Sequence, residues 1–138
     1  MLERREIGFM EARALVGRVG DRLEEGGKGA AVAVVDAHGE LVAFLRTDGC
    51  PLPSIKIATQ KAFTAARERA ESRALGDKAR AEDFPLTNFG ELGYVGWGGG
   101  VPIVIDDEVV GAIGISGLPE AEDMELARWA AASLAADD

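Results

Sequence analysis

The chain has 138 residues, 47% of them hydrophobic, with 15 Lys and Arg against 24 Asp and Glu, a net charge of −9. That length builds the core of one domain and not of two. The negative balance repels a phosphate backbone and sets nucleic acid aside as a partner. A single cysteine, Cys50, excludes an intrachain disulfide, and no CxxC or Cys/His cluster is present to hold zinc. The opening MLERREIGFM is charged, and no apolar run reaches the roughly 18 residues that cross a bilayer. The expectation is a soluble, acidic, cytoplasmic protein of one domain, 1–138, with no membrane partner.

In chain order, residues 6–25 read as a helix, with Met10, Ala14, Leu15, Val19 and Leu23 recurring at helical spacing. Gly26-Gly27 end it. AVAVVD (31–36) is β-rich and apolar enough for a strand covered on both faces, and LVAFLR (41–46) returns as its hairpin partner across the Asp36–Gly39 turn. Pro51 and Pro53 keep 48–54 a loop, and Ser54 starts a helix predicted to run to about 73. That helix carries Ile55, Ala58, Ala62, Ala65 and Ala66 on one face, with Lys56, Gln60, Thr64 and Arg67 opposite. Residues 76–100 read as the least regular stretch. VPIVID (101–106) and VVGAIGIS (109–116) form a second hairpin. A last helix over 120–135 follows Pro119, with Glu120, Glu122 and Asp123 at its positive end and Met124, Ala127, Ala131 and Leu134 as its apolar stripe. Two hairpins with helices before, between and after them predict an antiparallel sheet in an α+β fold.

Charge is unevenly placed. Residues 54–80 hold seven bases against three acids, whereas 106–138 hold nine acids and only Arg128. Such a split reads either as helix faces of opposite bias that dock on each other or as a basic site for a small anion.

The residues exclude most conventional catalytic sets: there is no GxSxG, no P-loop, and no second histidine for a metal triad. His38 could ligate a metal or haem iron, but it sits in a tight turn where an exposed polar residue is ordinary. Lys61 borders the apolar stripe of its helix and either aims its ammonium into a cleft or lies along the surface. Asp48 is its candidate partner or a turn former, and Cys50 reads as a small apolar group. Tyr94 and Trp97, among glycines, fit a wall for a planar ligand or a subunit interface.

Two stretches, VAVVDAHGELVAFLRTDGCPLPSIKIATQKAFTAA (32–66) and GGGVPIVIDDEVVGAIGISG (98–117), resemble the GlcG/HbpS-like family of small haem-binding domains, which includes the C-terminal domain of PduO-type corrinoid adenosyltransferases. The resemblance implies a profilin-like α/β/α sandwich around a five-stranded antiparallel sheet, hence one strand more than the four above, in or near 93–97, and assembly as a homo-oligomer. It also implies haem as cofactor in some members. Asp48, Ser54, Lys61, Thr64 and the Gly99-Gly100-Val101-Pro102 turn match the family pattern. The chain departs from it in having no histidine within 1–30 and in carrying Glu40 where relatives carry histidine, which leaves His38, a Thr or Tyr oxygen, or nothing as an iron ligand.

Two readings of function follow. In the first, the protein binds haem or another planar anion, with Lys61 facing carboxylates, Trp97 covering the flat side, and Asp48, Ser54, Thr64, Tyr94, Gly99 and Gly100 around them. In the second, it is a cofactor-independent enzyme on a small carbonyl or carboxylate metabolite, with Lys61 as electrophile or base and Asp48 as its partner.

Overall fold

A computed structural model describes residues 1–137; Asp138, the last acid of the acidic segment, lies outside the described residues. In chain order it contains α1 (Phe9–Glu25), β1 (Ala31–Asp36), β2 (Leu41–Arg46), α2 (Leu52–Glu68), α3 (Ser72–Ala81), a short 3-10 turn (Leu86–Phe89), β3 (Gly100–Ile105), β4 (Glu108–Ser116) and α4 (Glu120–Asp137). The strands form one antiparallel sheet in the order β2-β1-β4-β3.

The two faces of β1 explain the layering. Val32 and Val34 point into a core shared with α1 and α4, while Ala31, Ala33 and Val35 meet Ala58, Ala62, Ala65 and Ala66 of α2. Alternation of strand side chains thus puts larger groups on one face and smaller ones on the other. The small face lets α2 come unusually near: a Cβ on Gly114 of β4 would lie 2.1 Å from the Ala58 carbonyl oxygen, and one on Gly100 of β3 would lie 2.2 Å from that of Lys61. Glycine at these two positions is what seats the helix on the sheet.

Both hairpins form as predicted, but several expectations change. The fifth strand is absent among the described residues, and 93–97 is irregular. Its backbone bonds go to helices instead of a strand: Val95 N–H donates to the Thr64 hydroxyl, and Gly96 lies against Gly76 of α3 so tightly that a Cβ on Gly76 would be 2.0 Å from the Gly96 oxygen. The predicted helix 54–73 divides at Arg69, whose φ is +54°, and α3 follows. The Arg69 side chain holds that turn by donating to the carbonyls of Ala37 and Ala66 at 2.6 and 3.0 Å. Thr64, placed on the outer face by periodicity, is fully buried. In α1 the buried stripe is Ala12, Leu15, Val16, Val19 and Leu23, and Met10 and Ala14 face outward. Ile7 precedes the helix and donates its N–H to Val110 of β4 at 2.9 Å.

Part of the charge split is met within the chain. Arg73 of α3 pairs with Glu120 at 2.5 Å and Lys61 of α2 with Asp123 at 3.2 Å, while Glu71 and Arg128, the minority charges of the two segments, pair at 2.8 Å. The basic and acidic segments meet along the α3–α4 seam.

Candidate functional site

Lys61 leaves α2 toward the end of β4 and the start of α4. Its Nζ donates to the Ile115 carbonyl at 2.9 Å and to Asp123 Oδ2 at 3.2 Å. Both side chains are buried, each 3% exposed. Gly99, with φ +126°, makes room: a Cβ there would be 2.9 Å from Nζ. Asp123 Oδ1 accepts the Leu118 N–H at 3.1 Å. Burial pushes the Lys61 pKa down and that of Asp123 up, and in each case the partner's charge opposes the shift.

The pair lines an inner pocket of about 440 Å³, together with Ser54, Ser116, Glu120, Pro53, Leu118 and Trp97. The Ser116 hydroxyl donates to that of Ser54 at 3.1 Å. Glu120 Oε2 accepts the Gly98 N–H at 2.7 Å while Oε1 takes Arg73. That backbone bond first, then Arg73, holds the Glu120 carboxyl below its ordinary pKa, against some burial. Ser72 grips the same strap, donating to the Trp97 carbonyl at 2.6 Å and accepting the Gly100 N–H at 2.9 Å.

Trp97, 59% exposed, also lines a second hollow of about 740 Å³ between α3 and the segment that follows it. Its walls include Phe84, Pro85, Leu86, Tyr94 and Arg80. The rings interlock: Phe84 and Phe89 lie 5.6 Å apart, Phe89 and Tyr94 4.6 Å, and Tyr94 and Phe63 5.7 Å. The Tyr94 hydroxyl donates to Glu68 at 3.1 Å, and burial followed by that carboxylate raises its pKa. Arg80 at the rim pairs with Asp77 at 2.6 Å, both side chains 57% exposed.

Of the residues singled out from sequence, Ser54, Lys61 and Trp97 meet in the inner pocket, and Tyr94 joins Trp97 in the outer hollow. Thr64, Gly99 and Gly100 hold the backbone around them. The carboxylate paired with Lys61 is Asp123, not Asp48, which lies exposed in the loop after β2. His38 is exposed in the β1–β2 turn and lines neither cavity. Ser116 pairs with Ala31 at one end of β1, and the His38 turn begins after Asp36 at the other. At about 3.3 Å per residue those ends are roughly 16 Å apart. Among the described residues no group of His, Cys, Asp and Glu could hold a metal ion.

Sequence reasoning missed Asp123, Glu120, Ser116, Phe84 and Arg80. Asp123 stands in the first turn of a helix, where an acid is expected for the dipole alone. Only the fold brings it to Lys61, 62 positions away.

Residues 8–132 match the family model described as haem degrading protein HbpS-like. The chain belongs to this HbpS-like family. It is 32% identical over 111 residues to the protein GlcG of Escherichia coli K12, covering 76% of this chain and 77% of that one. The structure of Streptomyces reticuli HbpS, a double mutant, superposes with a TM-score of 0.86 at 28% identity, over 97% of this chain and 90% of that one. A PduOC–haem complex gives 0.84 at 27% identity, over 93% and 94%. Among the described residues of this HbpS-like protein, no helix is long and apolar enough to cross a membrane.

Proposed function

We propose that this HbpS-like chain is a small-ligand-binding protein whose ligand is a planar anion, haem being the first to test, seated in the outer hollow. The observation that carries this reading is a set of flat walls, Phe84, Tyr94 and Trp97, beside one guanidinium, Arg80, around about 740 Å³. Aromatic faces cover a planar molecule without needing hydrogen bonds. Arg80 can turn to a ligand carboxylate because an exposed ion pair such as its own with Asp77 contributes only about 0–1 kcal/mol. Lys61 is poorly suited to that task. Taking Asp123 from it would leave a buried charge unpaired, at about 3–5 kcal/mol. The expectation that Lys61 faces the ligand's carboxylates therefore passes to Arg80.

These walls and Arg80 fit the faces and carboxylates of a porphyrin. For the iron, Tyr94 is the one phenol in the chain and lines the hollow, but its hydroxyl donates to Glu68 and its pKa is raised, which makes it a weak ligand; the single histidine lines neither cavity. When bound, haem would supply a redox-active iron; the residues of this chain bind and orient the ring. The haem-bound relative supports this reading. Location in the cytoplasm and assembly as a homo-oligomer belong to the same proposal, exposed Leu52 and Leu92, at 77% and 87%, offering apolar surface for the latter.

One observation favours the enzymatic alternative, with Asp123 in the place of Asp48: a buried lysine–carboxylate pair with opposed pKa shifts lines a cleft. In that reading Lys61 is the base or electrophile for a small carbonyl compound. Titration with haemin tests the binding reading. A saturable Soret shift that Phe84→Ala weakens is expected, and no shift with the wild-type protein would refute it.

A further inference from the structure

We propose that the inner pocket beside Trp97 is a second binding site, separate from the aromatic hollow, for small uncharged molecules bearing hydroxyl, carbonyl or amide groups, and that it discriminates against the matching carboxylates. The donors that would ordinarily capture an anion here are engaged by the protein's own carboxylates. Lys61 holds Asp123 and the Ile115 carbonyl. The Leu118 N–H, at the entry to α4, holds the other Asp123 oxygen. The Gly98 N–H and Arg73 hold the two oxygens of Glu120. The positive end of a helix attracts anions, but at α4 two carboxylates of the chain already occupy that field.

The groups left to a ligand are of another kind. The Ser54–Ser116 pair uses one hydroxyl hydrogen in its mutual bond and keeps one to donate. Lys61 has a third N–H beyond its two acceptors. Carboxylate oxygens of Glu120 and Asp123 retain lone pairs for a ligand O–H or N–H. A neutral molecule that both donates and accepts satisfies these groups without breaking the buried pair, whereas a carboxylate group brings only acceptors and meets Glu120 and Asp123 against the single ammonium of Lys61, a net negative lining. Apolar Pro51, Pro53, Ile57 and Leu118 complete walls around about 440 Å³, a space for a molecule of a few carbons. This assignment narrows the enzymatic alternative to uncharged substrates. It holds whether or not a planar ligand occupies the outer hollow, which haemin titration tests by itself.

Lactamide and lactate share a shape and differ in charge, so they serve as probes. The chain has two tryptophans, and in fluorotryptophan-labelled protein fluorine NMR separates Trp97, in the pocket wall, from Trp129. Lactamide should shift the Trp97 resonance saturably and leave Trp129 in place, with lactate about tenfold weaker. Trp97 lines both hollows and Ser116 only this one, so Ser116→Ala should weaken lactamide, and unchanged binding there would place the probe in the outer hollow and overturn the proposal. Glu120→Gln, at a partly exposed side chain that keeps its shape, should narrow the gap by admitting lactate. Lactate binding as well as lactamide, no movement of Trp97 with either probe, or a gap unchanged in Glu120→Gln would overturn the proposal.

Discussion

On one side of Trp97 the wall is Lys61, Asp123, Ser54 and Ser116, carried on α2, α4 and the end of β4; on the other it is Phe84, Leu86 and Tyr94, carried on the segment between α3 and β3. The first set is buried and its polar atoms are bonded to one another, so its geometry is fixed before any ligand arrives. The second is half exposed and held by ring contacts and by the Tyr94–Glu68 hydrogen bond. A buried polar pocket selects by charge and hydrogen-bond pattern, while an open aromatic one offers apolar faces to a flat molecule. The contrast also sorts the cations. Arg80 sits in an exposed pair that exchanges partners easily, and Lys61 in a buried one that does not.

The largest way to break this contrast is to unpair the buried charges. Asp123→Ala should cost about 3–5 kcal/mol in urea denaturation, because Lys61 is left charged without a partner. The double replacement Lys61→Met/Asp123→Leu should recover most of that loss. Gly114→Ala comes next: its Cβ would press on the Ala58 carbonyl, and the overpacking should cost about 1–3 kcal/mol. A Gly114→Ala protein as stable as wild type would mean that α2 is not held where it is by that glycine. Loss of the Ser72 hydroxyl is smaller. Ser72→Ala should lower stability by about 1 kcal/mol and loosen Trp97, read as reduced fluorescence anisotropy.

A pH series sharpens the comparison. Asp123 is held above 3.8, so the native chain keeps this proton longer than the unfolded one, and raising pH through that window removes stability. Lys61 is held below 10.5, so the native chain releases its proton earlier, and raising pH through its window adds stability. Wild type measured against Lys61→Met/Asp123→Leu should therefore be at its least favourable between the two windows and improve toward each. A difference that is flat with pH would contradict the directions of both shifts.

Much of the fold could be read from residues. The two hairpins show in β-rich runs flanked by turn formers, and α4 in its acidic start and apolar stripe. The break at Arg69 could not, because the left-handed turn is held by carbonyls of Ala37 and Ala66 that periodicity does not reveal. The irregular course of 93–97 could, since the residues give four strands and only the family resemblance implies a fifth; there Thr64 takes the Val95 N–H instead. Lys61 was visible because a lysine beside an alanine stripe is out of place. Its partner was not, since Asp123, the near acid in space, lies 62 positions away, farther along the chain than Asp48, Glu68 or Glu71.

Haemin titration of two variants side by side tests the central claim, that the planar ligand sits on the aromatic side of Trp97 and not on the lysine. Phe84→Ala should lose much of the Soret shift, while Lys61→Met/Asp123→Leu should bind haemin like wild type. Binding lost in the double variant and kept in Phe84→Ala would place the ligand in the inner pocket and contradict the account.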